Sequence, residues 1–210
     1  MTATSPPPEA VPPPLLVCGI AGSLREKSFN RALLRAAREL APAGMEIRIF
    51  DRLAEVPLYN ADVEALGDPE PVQALKRAIG EADALLIATP EYNHGVPGVL
   101  KNAIDWASRP PRGSVLAGKP AAIFGASPGA TGTARAQSQM RQAFVFTQTP
   151  AVLQPEILVF RAHEKFDAEG RLTDEKTRQF IGLLLVALAD WTRRLRPRTH
   201  PRVKAVEDPR

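Results

Sequence analysis

The residues best suited to bind a ligand stand near the amino terminus, directly after a short apolar run. Residues 15–20 (Leu-Leu-Val-Cys-Gly-Ile) form that run, which is typical of a strand buried on both faces. The residues that follow combine a glycine with hydroxyl, guanidinium and amide side chains: Gly22, Ser23, Arg25, Ser28 and Asn30. An amphipathic helix is predicted over roughly residues 30–40. Free N–H groups, a helix dipole and a guanidinium at such a junction attract an anion. We therefore predict that residues 22–30, called loop 1, bind a phosphate.

The glycine pattern of loop 1 narrows the kind of phosphate. The P-loop motif Gly-x-x-x-x-Gly-Lys-Ser/Thr does not occur in the sequence, and Gly19-x-x-Gly22 is not the dinucleotide motif Gly-x-Gly-x-x-Gly. A pyrophosphate requires close backbone approach and hence glycines, whereas hydroxyls, an amide and a guanidinium can enclose a terminal monophosphate. The composition favours a mononucleotide. The alternative, still open, is that Ser28 or Asn30 simply caps the helix.

Two further loops carry unusual residues after predicted strands. Thr89–Pro97 (Thr-Pro-Glu-Tyr-Asn-His-Gly-Val-Pro), called loop 2, follows a central strand predicted at residues 84–88. Ala126–Arg135, called loop 3, is rich in small residues and follows a strand predicted at residues 121–125. Ligands of parallel α/β sheets bind beyond the carboxyl ends of the strands, so the three loops are expected to converge on one site.

The elements that position these loops alternate between strand and helix along the chain. Further strands are predicted at residues 45–50, near a sheet edge, and at the short apolar pair Val152-Leu153. Residues 51–71 are predicted to form a long loop, and further helices are predicted at residues 72–82, 98–107, about 134–147 and about 174–191. Five strand–helix alternations predict an α/β fold with a doubly wound, five-stranded parallel sheet and helices on both faces.

Length and composition predict one domain with two tails. The 210 residues are 44% hydrophobic, which suits a single core spanning residues 15–192. Residues 1–14 contain six prolines, and residues 193–210 contain seven Lys or Arg residues, so both tails are expected to be disordered. The basic tail lacks interleaved aromatic residues, so we expect it to be solvated rather than bound to nucleic acid.

The surroundings of the protein are predicted from its single cysteine and its apolar runs. Cys18 allows no internal disulfide and no cysteine-based metal cluster, and its place in the first strand indicates a buried apolar residue. No run of about 18 apolar residues occurs, and the first residues lack the order of a signal peptide. We therefore expect no membrane association and a cytoplasmic location.

The loops offer little acid–base or nucleophilic apparatus. The histidines, His94, His163 and His200, show neither catalytic-triad nor metal-ligand spacing. Glu91 is the only acid in loops 2 and 3, and one carboxylate does not make a glycosidase pair. His94 either contacts a ligand or caps the helix that begins at Pro97. We predict no catalytic side chain and no metal, and that a bound cofactor carries the chemistry.

Four segments in this order resemble the NADPH-dependent FMN reductases, and within them the bacterial quinone/chromate reductase branch. They are Gly22-Ser-Leu-Arg-x-x-Ser-x-Asn30, Thr89-Pro-Glu-Tyr-Asn93, Gly95-x-Pro-Gly-x-Leu-Lys-Asn-Ala-Ile-Asp-Trp106 and Leu116-Ala-Gly-Lys-Pro120. The resemblance covers roughly residues 15–191. It implies a flavodoxin-like fold that binds FMN noncovalently and uses NADPH or NADH as the electron donor.

The resemblance also assigns residues to the cofactor. It implies that the FMN phosphate contacts Ser23, Arg25, Ser28 and Asn30 of loop 1. It implies that the flavin ring is lined by Pro90, Glu91, Tyr92 and Asn93, to which we add His94 as a candidate contact. The pyrimidine side of the ring would meet Ser127, Gly129, Thr131 and Gly132. Members assemble as dimers or tetramers, through Arg135 and through the helix that contains Lys101, Asn102, Asp105 and Trp106.

One departure from the closest branch lies in loop 2, where His94-Gly95 replaces an aromatic hydroxyl and a serine. A histidine can titrate near neutral pH, which a tyrosine does not. The acceptor preference and the inter-subunit hydrogen bonds of that branch are therefore not inferred for this chain from position 94 or 95. Likewise, Arg52, Arg109 and Arg112 are candidates to meet the 2′-phosphate of NADPH, but the sequence does not decide between NADPH and NADH.

The function expected from these features is ping-pong electron transfer. NAD(P)H reduces the flavin and leaves, and a small acceptor such as a quinone, chromate, an azo compound or free flavin then takes the electrons. The alternative is a flavin-binding electron carrier or sensor without turnover. Carriers of this fold are usually acidic, whereas this chain has a net charge of +4 and a pI of about 9.5. A more distant alternative is a nucleic-acid-associated regulator that uses the basic tail.

Overall fold

The computed structural model of the chain describes residues 14–195. Most of the two predicted tails, residues 1–14 and 193–210, therefore lies outside the described residues. The part of the basic segment that is described, residues 193–195, continues the last helix.

Five parallel strands form one sheet in the order β2-β1-β3-β4-β5. The strands are β1 Leu15–Ala21, β2 Met45–Phe50, β3 Ala84–Ala88, β4 Ala121–Ala126 and β5 Ile157–Val159. As predicted, β2 lies at an edge and β3 lies in the centre. This order is that of flavodoxin-like folds, whose switch point lies between β1 and β3. The doubly wound five-stranded prediction is confirmed.

Six α-helices cover the two faces of the sheet. They are α1 Phe29–Glu39, α2 Ala61–Ala65, α3 Glu70–Glu81, α4 Gly98–Ala107, α5 Ala134–Thr147 and α6 Glu175–Leu195. Helices α1 and α6 pack on one face and α3, α4 and α5 on the other. Successive residues of β3 supply both cores, since Leu86 packs under α1 and α6 whereas Leu85 and Ile87 face the opposite side. Among the described residues, no helix combines the length and apolarity needed to cross a membrane.

Two local predictions were wrong. The fifth strand is not Val152-Leu153, since there Ala151 forms only an isolated bridge with Ala121 before the chain turns away. The strand is Ile157–Val159, which pairs with Phe124–Ala126 of β4. Residues 51–71 are not one irregular loop, because they contain a 3₁₀ turn at Leu53–Glu55 and helix α2, and α3 begins at Glu70.

The inward face of α4 fixes the segment that follows the 3₁₀ turn. The indole Nε1 of Trp106 and the amide Nδ2 of Asn102 both donate to the carbonyl oxygen of Pro57 at 2.8 Å. The Asn102 Oδ1 accepts from the backbone N of Tyr59 at 2.8 Å. These two side chains are buried and therefore not presented to a second subunit, whereas Lys101 and Asp105 form an ion pair at 2.6 Å on the surface.

The amino terminus of α6 is capped by Asp174. Its Oδ2 accepts from the backbone N of Thr177 at 2.8 Å and from the Thr177 hydroxyl, and its Oδ1 lies 3.1 Å from the Nζ of Lys165. Hydrogen bonds from Thr177 to the carboxylate, with help from Lys165, hold the pKa of Asp174 below its usual value. The Thr173–Lys176 signal in the sequence is thus a true helix start, with the aspartate as its cap.

We predict that Asp174→Ala lowers the free energy of unfolding by about 1 kcal/mol at pH 7, as expected for a lost cap. Because the folded-state pKa is lowered, the stabilisation is present above the unfolded pKa of about 3.9 and is lost as the pH falls through the folded value. Urea denaturation at pH 7 and near pH 3 measures both effects. Asp190→Ala, on the exposed part of the same helix, is the control and should change stability by less than about 0.5 kcal/mol. Equal losses in both variants at pH 7 would contradict the cap assignment.

Candidate functional site

Loops 1, 2 and 3 leave the carboxyl ends of β1, β3 and β4 and meet at one edge of the sheet. Side chains connect each pair of loops. Asn30 joins loop 1 to loop 3, Glu91 joins loop 2 to loop 3, and Tyr92 joins loop 2 to loop 1. The convergence predicted from the sequence is therefore present, and it is held by protein atoms alone.

Asn30 lies in the first turn of α1 and is buried. Its Nδ2 donates to the carbonyl oxygen of Ala126 at 2.9 Å, and its Oδ1 accepts from the backbone N of Ala126 at 2.9 Å. The amide thus pairs with the N–H and the carbonyl oxygen of one residue at the end of β4, and both of its functional groups are used. Asn30 orients loop 1 against loop 3.

Ser28 is the N-cap of α1, which is the alternative that the sequence left open. Its Oγ accepts from the backbone N of Asn30 at 3.2 Å and of Arg31 at 3.4 Å. The hydroxyl proton is not used in these bonds, so Ser28 can cap the helix and still donate to an anion. Capping and phosphate binding are compatible at this position.

Glu91 caps a helix that begins in another loop. Its Oε2 accepts from the backbone N of Arg135 at 2.9 Å and of Ala136 at 3.1 Å, in the first turn of α5. Its Oε1 lies 3.4 Å from the Nη1 of Arg135, and the carboxyl-bearing side chain is only 7% exposed. The carboxylate occupies the positive end of α5, so this helix does not offer its amino terminus to an anion.

The middle of loop 2 is a tight hairpin that projects from the site. Tyr92 and Gly95 exchange backbone hydrogen bonds of 3.1 and 2.9 Å, and Asn93 and His94 between them have φ values of 49° and 63°. Two central residues with positive φ are the mark of a type I′ turn. The hydroxyl of Tyr92, a residue that is 48% exposed, lies 3.3 Å from the Oγ of Ser23.

The hairpin is fixed to α5 by Gln139, whose Oε1 accepts from the backbone N of Val96 at 3.0 Å. A Cβ at Gly95 would come within 2.9 Å of that oxygen, so a serine there would displace the Gln139 side chain. His94 is exposed and does not cap α4, which has no side-chain cap. Pro90, in contrast, is buried at the base of loop 2.

Loop 1 presents an open surface of unpaired hydrogen-bond donors. Within residues 14–195, the backbone N–H groups of residues 23–27 make no hydrogen bonds, and the exposed Arg25 forms no ion pair. Ser23 is buried beneath them. Unpaired N–H groups, two hydroxyls and a guanidinium at a helix start are the donors that a phosphate requires. The residues fit the phosphate of a mononucleotide.

Loop 3 is held by backbone contacts to β5 and to the residues directly after it. Ser127 donates its N–H to the carbonyl oxygen of Val159 at 2.9 Å, and its Oγ accepts from the N of Gly129 at 3.1 Å. Gly132 has a φ of 62°, and a Cβ there would lie 3.0 Å from the backbone carbon of Leu158. Thr131 is exposed, and its Oγ1 lies 3.4 Å from the Nη1 of Arg135. The loop is short, rigid and rich in backbone polar groups, which suits contact with a flat heterocycle.

The site has no metal centre among the residues that the structure describes, since no three His, Cys, Asp or Glu residues gather there. Cys18 lies in β1, where burial raises the pKa of its thiol to about 12. It is therefore a protonated core residue rather than a nucleophile. Sequence reasoning missed Gln139, which no motif marks because it is one polar residue on an exposed helix face.

We predict that Asn30→Ala lowers the free energy of unfolding by about 2 to 4 kcal/mol, because it leaves a buried N–H and a buried carbonyl of Ala126 without partners. Chemical denaturation of the purified protein measures the loss. Gln142→Ala removes an exposed amide from α5 and should change stability by less than about 0.5 kcal/mol. An Asn30→Ala protein as stable as the parent would refute the role of this amide in joining the loops.

Comparison with known proteins agrees with this geometry. The sequence profile described as NADPH-dependent FMN reductase matches residues 15–164. An NAD(P)H-dependent FMN reductase of Pseudomonas aeruginosa is 53% identical over 180 residues, which is 86% of this chain and 96% of that protein. A quinone reductase of Escherichia coli is 41% identical over 184 residues, or 87% of this chain and 97% of that protein.

A solved structure shares the fold over nearly its whole length. The flavoenzyme FerB of Paracoccus denitrificans, an NAD(P)H:(acceptor) oxidoreductase, superposes with a TM-score of 0.78 at 39% identity, covering 86% of this chain and 98% of that chain. A profile match over most of the chain, full-length relatives and a shared fold agree with one another. This chain belongs to the NADPH-dependent FMN reductase family.

Proposed function

We propose that the protein is an NAD(P)H-dependent oxidoreductase that holds FMN noncovalently and passes electrons to small acceptors, quinones first among them. The observation that carries this proposal is the set of three loops at one sheet edge, each tied to the other two, around an open turn rich in unpaired donors. The site has hydrogen-bond donors for a phosphate and backbone polar groups for a ring. Within residues 14–195, no catalytic triad or carboxylate pair is found there.

The donors of loop 1 would hold the FMN phosphate. The N–H groups of residues 23–27, the hydroxyls of Ser23 and Ser28 and the guanidinium of Arg25 are the proposed contacts. Asn30 acts indirectly, since its amide is committed to Ala126 and positions loop 1. Because Glu91 neutralises the start of α5, the start of α1 is better suited to the phosphate than the start of α5.

Loops 2 and 3 would flank the flavin ring. The rigid hairpin of Tyr92, Asn93 and His94 supplies one side, and Ser127, Gly129, Thr131 and Gly132 supply backbone groups for the pyrimidine edge. Glu91 and Pro90 hold these two loops in place from beneath. When bound, FMN would supply the redox chemistry, taking a hydride from a nicotinamide and delivering two electrons to an acceptor.

The remaining work of the protein is to bind and orient. Its loops keep the ring accessible from the surface, where the nicotinamide and the acceptor can occupy the same place in turn. This requires no covalent or acid–base catalyst from the chain. Chromate, azo compounds and free flavin are proposed as further acceptors, because a site open to one flat or small oxidant offers little steric selection.

We also propose a homodimer or homotetramer, in a cytoplasmic setting where a lone buried thiol such as Cys18 stays reduced. Large apolar side chains on the surface support self-association, with Val145 81% exposed, Phe146 79% exposed and Leu153 74% exposed. Four residues of α4 were predicted to lie at a subunit contact, and of these only Lys101 and Asp105 reach the surface.

A visible spectrum of the purified protein tests the proposed function. We expect flavin bands that bleach on anaerobic addition of NADPH and return on addition of a soluble quinone. Flavin bands that ignore NADPH would instead identify an electron carrier or sensor. A colourless protein that does not take up added FMN would refute the assignment, and loop 1 would be only a capped helix start.

We predict that Arg25→Ala weakens FMN binding by about 1.5 to 3 kcal/mol, the value of a hydrogen bond to a charged group. Equilibrium dialysis or fluorescence titration of the apoprotein with FMN measures the change. Arg48→Ala is the matched control, because Arg48 is an exposed arginine of β2 that pairs with Glu46 rather than facing loop 1. Equal FMN affinity in Arg25→Ala and the parent would remove Arg25 from the phosphate site.

A further inference from the structure

Helix α1 carries three arginines along one side that have no anionic partners. Arg31, Arg35 and Arg38 follow the i, i+4, i+7 spacing that places residues on one helical face. None of the ion pairs within residues 14–195 involves them, although neighbouring arginines on β2 and after it are paired with glutamates. Arg31 stands in the first turn, where a cation opposes the helix dipole, so it contributes nothing to the stability of the helix through that dipole.

These arginines line a cavity of about 270 Å³ beside loop 1. The cavity lies between α1 and the carboxyl ends of β1 and β2, and it shares Ser23 with loop 1. Its other side is mainly apolar, formed by Leu24, Ile49, Phe50 and Leu53. The guanidiniums can bind a phosphate, and the apolar side chains opposite them can pack against a flat ring. A phosphorylated nucleoside has both groups. The volume, near the lower end for ligand sites, suits one nucleoside rather than a whole dinucleotide.

The cavity also contains one carboxylate, that of Asp51, directly after β2. An acid at the end of the second strand contacts the adenosine ribose in dinucleotide-binding α/β folds, and a nearby arginine there receives a 2′-phosphate. Here three guanidiniums face one carboxylate, so the charge balance favours a ribose that carries a phosphate over one that does not. This comparison with other α/β folds concerns position in the fold only.

The arginines first considered for a 2′-phosphate are less suited to it. Arg52 is held by Glu55 and Glu70 at 2.7 and 2.6 Å, so its charge is already neutralised. Arg109 lies half-buried with its guanidinium carbon 5.4 Å from the centre of the Tyr59 ring. Arg112 is exposed and is not part of the α1 cavity.

We propose that the cavity lined by Arg31, Arg35 and Arg38 binds the adenosine 2′-phosphate of NADPH and thereby selects NADPH over NADH. The inference rests on the proposed function, since it requires that nicotinamide dinucleotide be the electron donor. The nicotinamide end would lie at loops 2 and 3, and the dinucleotide would run past loop 1 to place its adenosine in the cavity. FAD is the other source of a phosphorylated adenosine, and the experiment separates the two.

The test uses the FMN-loaded enzyme and the double variant Arg35→Gln/Arg38→Gln, with the single variant Arg38→Gln alongside it. Both side chains are exposed, so folding should be unaffected. Arg31 is left intact because it stands in the first turn of α1, directly after loop 1, where its charge would also act on the proposed FMN phosphate. Arg48→Gln on β2, which removes the same charge outside the cavity, is the matched control.

Calorimetry with the oxidised enzyme should show 2′,5′-ADP binding at least about tenfold tighter than 5′-AMP, and the double variant should lose that difference. In steady-state assays with a quinone, the KM for NADPH should rise about tenfold or more in the double variant. The KM for NADH, the kcat and the FMN content should stay within about twofold of the parent. Arg48→Gln should leave all of these unchanged.

Several results would overturn the assignment. An unchanged KM for NADPH in the double variant, or equal increases in the KM for NADPH and for NADH, would show that the cavity does not bind the 2′-phosphate. Loss of FMN from the double variant would assign the cavity to the flavin instead, as would a parent that binds FAD more tightly than FMN together with a double variant that does not. If the parent enzyme binds no flavin or oxidises no NADPH, the proposed function itself is wrong. If the parent is active but the variants keep its KM for NADPH, only the assignment of the cavity is wrong.

Discussion

The paired hydrogen bonds between the Asn30 amide and the Ala126 backbone are the constraint on which the geometry of the site depends. They connect the start of α1 with the end of β4, although β3 lies between β1 and β4 in the sheet. Loop 2 emerges from β3 between the two loops thus joined. Both groups of the amide and both backbone groups of Ala126 are satisfied, at a buried position. A buried polar contact of this kind is costly to break, and it therefore fixes position as well as adding stability.

Helices α1 and α5 begin at the same edge of the sheet but differ in the charge of the group that caps them. The start of α5 receives the Glu91 carboxylate, which satisfies two of its N–H groups and offsets its dipole. The start of α1 receives only the neutral hydroxyl of Ser28, and the turn before it leaves five N–H groups unpaired within the described part of the chain. Positive potential is thus less offset at the start of α1 than at the start of α5. In the proposed complex, the anionic group of the ligand would lie at loop 1 and the ring that it carries at loops 2 and 3.

The sequence was sufficient for most of the fold because the apolar runs of a parallel sheet and the periodic helices are local signals. It failed at β5, where the pair Val152-Leu153 and the run Ile157–Val159 are both short and apolar, and only pairing with β4 distinguishes them. The sequence did not reveal the roles of Asn30 and Glu91, for a different reason. An amide or a carboxylate in a loop can bind a ligand or a distant peptide, and these two bind partners 96 and 44 residues away. The α1 arginines do show a helical spacing in the sequence, but their lack of carboxylate partners is a property of the folded chain.

The links among the loops have a consequence for how the protein exchanges its ligand. Each link is made by side chains and peptide groups of the chain, so the loops are ordered when the chain folds rather than when a ligand arrives. The loss of conformational entropy on ordering the loops therefore does not weaken ligand binding. A receptor of this kind can release one molecule and accept the next without refolding around it. The site is therefore expected to stay folded between ligands rather than to become a partly unfolded segment exposed to aggregation or proteolysis.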